Sequence, residues 1–184
     1  MLKTTEFAHL LIKENINSND IVIDATCGNG FDTLFLANLV PNGKVIAYDI
    51  QEAAINNTKE LTKDFNNIEY ILGSHEFINI NNCKCVLFNL GYLPKGDKTI
   101  TTKSNTTLNA IKNLINQFDK NPNMIIYLII YPGHLEGSEE SIILKEFTSN
   151  LDSKRYMVTL IEPFNQNNAP YLIAINLKQK KTHW

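Results

Sequence analysis

The stretch that most restricts what this chain can fold into is Ile21-Val-Ile-Asp-Ala-Thr-Cys-Gly-Asn-Gly-Phe-Asp-Thr-Leu-Phe-Leu-Ala37. Its β-branched opening, Ile21 to Ile23, has the character of a buried strand. Asp24 follows, then a small-residue turn at Gly28-Asn29-Gly30, then apolar residues at helical spacing: Phe31, Leu34, Phe35 and Leu39. Strand, glycine turn and helix in that order form the opening unit of a nucleotide-binding α/β layer. Glycine at the turn permits positive φ and lets a ligand approach the backbone. A second strand, Lys44 to Tyr48, ends on Asp49, about twenty residues past the glycines, where a carboxylate suits the hydroxyls of a ribose. An N-cap for the next helix is the competing role for Asp49.

Dinucleotides and S-adenosylmethionine share this layout, and the glycines and acids separate them. The dinucleotide fingerprint needs a third glycine three positions after the second; here that position is Thr33. Asp24 and Asp32 crowd the place where a diphosphate would rest on helix-start amides. Two carboxylates repel phosphate but suit the cationic amino group of a methionine moiety. S-adenosylmethionine is therefore favoured over NAD.

The 184 residues fit one domain, with 1–18 as a leading helical segment and 178–184 as a basic tail. A net charge of −2 gives no broad basic field, which disfavours a DNA binder but leaves room for a compact RNA element held by a local patch. No apolar run reaches membrane-spanning length and the start lacks a signal-peptide core, so a cytoplasmic, membrane-free protein is expected. The three cysteines suggest reduced thiols, and Cys83 and Cys85 have the wrong spacing for a zinc knuckle, so no metal is expected.

A leading helix over residues 3–16 is expected to turn Phe7, His9, Leu10 and Leu11 inward. A helix over Gln51 to Phe65 follows the second strand, with Ala54, Ile55, Thr58, Leu61 and Phe65 inward. Further strands are expected at Ile68 to Leu72, Lys84 to Phe88 and Met124 to Tyr131, then at Tyr156 to Ile161 and Tyr171 to Leu177. Helices are expected from Ser104 and over Glu139 to Leu151. Alternating strands and helices closed by two consecutive strands predict an α/β, Rossmann-like fold. Its seven-stranded sheet should be mostly parallel, with one antiparallel strand near the edge and helices on both faces.

Ligands of such sheets bind beyond the carboxyl ends of the strands, where strand order reverses. Those ends supply a cofactor side made of Asp24, Thr26, Gly28, Asn29, Gly30, Asp32, Thr33, Asp49, Ile50, Gln51, Ser74, His75 and Asn89. Asp49 would clamp the ribose with Gln51 beside it, and Ser74 and His75 would flank the adenine. Asn89-Leu-Gly-Tyr92 ends the fourth strand and is similar to the Asn-Pro-Pro-Tyr motif of amine-directed methyltransferases. Methyl transfer to nitrogen requires the lone pair to be aimed and desolvated. The Asn89 side-chain oxygen and the Leu90 carbonyl can accept the amine's N–H bonds, and Tyr92 can pack on a base or a cation. Asp97 is a candidate proton acceptor, since only the neutral amine is nucleophilic, with His134 as its rival. Lys95, Lys98 and Lys103, with hydroxyls such as those of Thr101 and Thr102, could form a phosphate lip, and Tyr131 and His134 are further candidates to contact the substrate. A plain solvated loop is the alternative for the lysines.

Taken together, Asp24 to Ala37, Asp49-Ile-Gln51, Asn89-Leu-Gly-Tyr-Leu-Pro94, Gly96-Asp-Lys98, Thr101-Thr102, Tyr131-Pro-Gly-His134 and Glu136-Gly137 resemble the YtqB-type family of rRNA-methylase-like proteins. This family includes the tRNA wobble-uridine methyltransferases of the MnmM kind. The resemblance implies a class I methyltransferase fold. It further implies transfer of a methyl group from S-adenosylmethionine to the amine of 5-aminomethyl-2-thiouridine, with a tRNA anticodon stem-loop as partner. Lys95 departs from the glycine usual at its position, which bears on the loop's flexibility. Oligomeric state stays open, a homodimer included. A small-molecule amine methyltransferase, a non-catalytic cofactor-binding RNA partner and an NAD-dependent oxidoreductase are the other readings.

Overall fold

The computed structural model describes residues 2–79, 81–91, 104–133 and 135–178. Seven strands form one sheet: β1 (Ile21–Asp24), β2 (Lys44–Asp49), β3 (Ile68–Leu72), β4 (Cys83–Leu90), β5 (Ile125–Ile130), β6 (Tyr156–Ile161) and β7 (Tyr171–Leu177). Their order across the sheet is β3-β2-β1-β4-β5-β7-β6. All pairings are parallel except the two made by β7, which runs against both β5 and β6. The single reversed strand therefore sits one place in from the edge, as the two consecutive C-terminal strands predict.

Helices cover both faces. One core gathers Ala8 and Ile12 of α1 (Thr4–Asn15) and Leu36 and Ala37 of α2 (Phe31–Leu39) over Val22, Val45, Leu87, Tyr127 and Ile129. On the same side, α3 (Glu52–Leu61) lays Ile55 on Ala47. The opposite core joins Ile23, Ile46, Val86, Phe88 and Leu128 to Ala110, Ile111 and Leu114 of α4 (Ser104–Asn116) and Leu144 of α5 (Leu135–Ser149). Neighbouring strand residues point to opposite faces. A strand covered on both sides is then apolar throughout, which is why β5 reads Ile-Ile-Tyr-Leu-Ile-Ile.

The structure corrects several local expectations. Strand β4 continues through Asn89 and Leu90, which pair in register with Ile129 and Ile130 of β5, so the strand ends at Leu90 rather than at Phe88. Helix α5 starts at Leu135, four residues before the expected Glu139, since its first turn carries little of the apolar pattern that marks a helix. On α1 the buried positions are Ala8 and Ile12, while Leu10 is exposed. On α2 the inward face is Asp32, Thr33, Leu36 and Ala37, and Phe31 is 70% exposed. In that helix a polar pair takes the core side because it has partners there. Among the described residues no helix is long and apolar enough to cross a membrane.

Candidate active site

Strand order reverses between β1 and β4, and the two ends are tied together by one hydroxyl. The Asn89 backbone N–H donates to Thr26 Oγ1 at 2.8 Å, and that hydroxyl donates on to the Asn89 carbonyl at 3.2 Å. The main chain of Asn89 is thereby pinned to the loop after β1. Thr26 in turn donates its own N–H to Asp24 Oδ1 at 3.2 Å.

Next to this tie lies the glycine turn. Gly28 and Gly30 both have positive φ, 52° and 86°. At Gly30 a Cβ would stand 2.9 Å from the Thr58 Cα, so α3 presses directly on the turn. Thr58 also donates its hydroxyl to the Gly28 carbonyl at 3.2 Å. The Gly28 N–H donates to Asp49 Oδ2 at 3.0 Å, and the Gln51 N–H to Asp49 Oδ1 at 2.9 Å. Asp49 is not the N-cap of α3; that position is Gln51, without a side-chain cap bond. A carboxylate has about four acceptor positions. Two backbone donors orient Asp49 and leave it capacity for a pair of ligand hydroxyls. Ile50 (55% exposed) follows β2 and Leu72 (56%) ends the neighbouring β3, so both strand ends carry exposed apolar side chains.

The two acids beside the turn have different positions. Asp24 is fully buried, and its Oδ2 accepts the Thr33 hydroxyl at 2.6 Å. It is a support beneath the turn rather than a surface that meets a ligand, and Thr33, also fully buried, is its clamp. Burial, and after it the neighbouring Asp32, pushes the Asp24 carboxyl up to about 7. Such a raised carboxyl contributes its stability in full below the ordinary value of 3.8 and loses it as pH rises through about 7. Melting temperatures of the wild type and Asp24→Asn, compared from pH 5 to pH 8, should show the wild type losing ground to the variant as pH rises. A constant difference would contradict the buried-acid assignment.

Asp32 lies at the junction. Its Oδ1 is 2.7 Å from His9 Nε2, and its Oδ2 accepts Asn89 Nδ2 at 2.8 Å. The amino end of the Asn89 amide is thus committed inward. The opposite flip would set the amide oxygen against a carboxylate, acceptor against acceptor. The Tyr131 hydroxyl stands in hydrogen-bonding reach of the Asn89 and Thr5 side chains, and burial raises its pKa. Gly91 packs on the same ring, where a Cβ would be 3.9 Å from Tyr131 Cδ2.

His75 does not flank an open adenine slot with its face. It is 7% exposed and sits edge-on to Phe88, with ring centroids 5.4 Å apart. Burial lowers its pKa, and the Ala25 backbone takes one ring hydrogen bond. The other nitrogen, Nε2, is buried without a partner. Ser74 caps the short turn His75–Phe77 by accepting the Glu76 N–H at 3.2 Å. Asn29 accepts from Asn57 Nδ2 at 3.1 Å.

The site therefore unites Thr26, Gly28, Gly30, Asp32, Asp49, Gln51, Asn89 and Tyr131. Leu90 is buried within the ladder. Tyr92, Lys95, Asp97, Lys98, Thr101, Thr102, Lys103 and His134 lie outside the described residues. Sequence reasoning gave no role to His9, placed only on a helix face, or to Thr58, placed only in the core. A polar residue on an otherwise inward face was the available signal for both.

Comparison with known proteins gives the family and the fold. Residues 45–176 match the model of a family described as "Putative rRNA methylase". A chloroplastic tRNA (mnm5s2U34)-methyltransferase of Arabidopsis thaliana is 37% identical over 190 residues, covering 93% of this chain and 68% of the relative. A structure from Clostridium thermocellum described as a "putative rRNA-methylase" is 37% identical with a TM-score of 0.87, covering 97% of this chain and 99% of that one. One from Streptococcus mutans, described as a "putative methyltransferase" in complex with SAH, is 31% identical with a TM-score of 0.84 and the same coverage. The fold is that of the class I S-adenosylmethionine-dependent methyltransferases, and the chain belongs to the rRNA-methylase family.

Proposed function

We propose that this protein is an S-adenosylmethionine-dependent tRNA methyltransferase. It methylates the amine of 5-aminomethyl-2-thiouridine at the wobble position, giving the 5-methylaminomethyl product. The single observation that carries the mechanism is the Asn89 amide, anchored through its amino group to Asp32 while its main chain is tied to Thr26. The named activity of the Arabidopsis relative and the SAH-bound Streptococcus mutans structure support the substrate and the cofactor.

The residues present fit such a cofactor. Asp49, oriented by two N–H groups, retains acceptor positions for ribose hydroxyls, and Ile50 and Leu72 offer apolar surface for a base. The acidic Asp32 favours a cationic ligand, and negative charge at this rim disfavours a diphosphate. When bound, S-adenosylmethionine supplies an electrophilic methyl group.

The chain's own task is to deliver nitrogen. With Nδ2 held by Asp32, Asn89 Oδ1 is the branch of the amide left to accept an amine N–H. An acceptor at that point aims the lone pair and offsets the positive charge that develops on nitrogen. Tyr131, packed on Gly91 beside Asn89, walls the same side. The amine must arrive neutral, and Asp97 is the proposed acceptor of its proton. Lys95, Lys98, Thr101 and Thr102, with His134, are proposed to meet the anticodon stem-loop.

The test is mass spectrometry of wobble nucleosides after incubating the protein with undermodified tRNA and methyl-labelled S-adenosylmethionine. A labelled 5-methylaminomethyl nucleoside is expected. Turnover on free alkylamines without any dependence on tRNA would refute the tRNA assignment. Asp49→Ala should weaken cofactor binding by calorimetry about tenfold or more, as the loss of charge-assisted bonds implies. It should leave the rate at saturating cofactor nearly unchanged; unaltered affinity would contradict the ribose role.

A further inference from the structure

His9 belongs to α1, which is not one of the strand-end loops that build sites of this kind, yet its ring reaches the centre of this one. Nε2 is 2.7 Å from Asp32 Oδ1, and the ring lies flat on Phe35 with centroids 3.8 Å apart and planes 4° from parallel. A carboxylate only accepts, so Nε2 carries a proton and donates it. The other Asp32 oxygen takes Asn89 Nδ2 at 2.8 Å. Side chains from α1, α2 and β4 thus form one hydrogen-bonded line ending at the residue that would hold the amine.

We propose that His9 is a positioning residue for methyl transfer. It fixes the rotation of the Asp32 carboxylate and, through it, the flip of the Asn89 amide, so that the carbonyl oxygen and not the amino group is presented to the substrate nitrogen. This rests on the reading of Asn89 as the amine's acceptor.

The argument is one of degeneracy. The two flips of an asparagine amide have nearly the same shape, so only partners distinguish them. The terminal torsion of an aspartate is broad, and a carboxylate held by Asn89 alone could swing and release the amide. A second donor on its other oxygen removes that freedom. With the amide reversed, Nδ2 would face an amine that also donates, and no lone pair would be steered. Packing alone does not require this arrangement. A phenyl ring at position 9 could stack on Phe35 equally well, and the 2.7 Å donor is the feature that packing leaves unexplained.

His9→Phe keeps the stacked ring and removes the donor. His9→Gln restores one, because its Nε2 is as many bonds from Cα as the histidine Nε2. Single-turnover rates on undermodified tRNA at saturating S-adenosylmethionine would be measured with cofactor affinity and melting temperature. We expect His9→Phe to slow methyl transfer about tenfold, within the range typical of residues that orient a functional ligand, with cofactor affinity unchanged and melting temperature lowered by no more than a few degrees, the cost of one donor lost to a nearly buried carboxylate. His9→Gln should recover most of the rate. Added to Asn89→Ala, His9→Phe should cost nothing more, since the two act as a unit.

A wild-type rate for His9→Phe would overturn the proposal. So would a loss matched by a fall in cofactor affinity, or one undiminished in the Asn89→Ala background. If the phenyl variant fails to fold, the comparison of His9→Ala with His9→Gln decides by the same criteria. Full activity of Asn89→Ala would remove the reading of Asn89 and this proposal with it. An inactive Asn89→Ala beside an unaffected His9→Phe would remove this proposal alone.

Discussion

Asn89→Ala is expected to slow methyl transfer about 10²–10³-fold, the cost of deleting one preorganised group aimed at developing charge. Cofactor affinity should stay within about threefold, because the proposed ribose clamp is Asp49, on the far side of the glycine turn. The main chain at position 89 should hold its place, since its N–H and carbonyl are both bonded to the Thr26 hydroxyl and need no side chain. Asp32 keeps the His9 donor and so is not left bare. The variant therefore isolates the amide from its surroundings. Single-turnover rates give the first quantity and calorimetry the second. If rate at saturating cofactor were intact and only affinity fell, Asn89 would be a cofactor ligand and the division of labour between Asp49 and Asn89 would be wrong.

Much of the fold could be read along the chain, because the physics involved is local. Strand β1, the glycine turn and α2 occupy consecutive residues, and the doubly covered β5 announces itself by having no polar position. The C-terminal strands are legible to the residue, since each is bounded by charge on one side and by proline or a polar tail on the other. Local patterns misled where a partner from elsewhere redefines a face. Phe31 belongs to the apolar stripe of α2 by spacing, yet the inward positions go to Asp32 and Thr33, satisfied by His9, Asn89 and Asp24. Those partners are 9 to 57 residues away. Nothing in the helix itself tells that two polar side chains can be buried there at low cost.

The site divides in the same way. Asp49 and the glycines stand out because the sequence spacing between turn and strand end reflects a distance in space. The bond from Asn89 to Thr26 spans 63 residues and joins two strands that become neighbours only through the crossover. An acid beside a ligand must be exposed to meet it, and the full burial of Asp24 makes it a prop for the loop instead. His75 differs from expectation for the same reason: a strand-end histidine looks exposed until the turn His75–Phe77 folds it under against Phe88.

Gly30→Ala should destabilise the protein by about 2–4 kcal/mol, roughly 6–12 °C in melting temperature for a chain of this size. Two costs add. A side chain at φ 86° is strained, about 1–3 kcal/mol for a residue other than glycine. Its Cβ would also stand 2.9 Å from the Thr58 Cα and 3.1 Å from its hydroxyl oxygen, so α3 must retreat. That retreat has a chemical consequence, since Thr58 holds the Gly28 carbonyl and Gly28 holds Asp49. Cofactor affinity should therefore fall along with stability, by about tenfold for one misplaced charge-assisted acceptor. Gly73→Ala is the control on the same rim: its Cβ would meet only Ile71 Cγ2, at 3.8 Å, an ordinary contact. It should change stability by no more than about 0.5 kcal/mol. If the two variants melted together, the close approach of α3 to the turn would not exist. If Gly30→Ala melted early yet bound S-adenosylmethionine with full affinity, the turn would serve the fold alone, and the ligand would have to sit elsewhere.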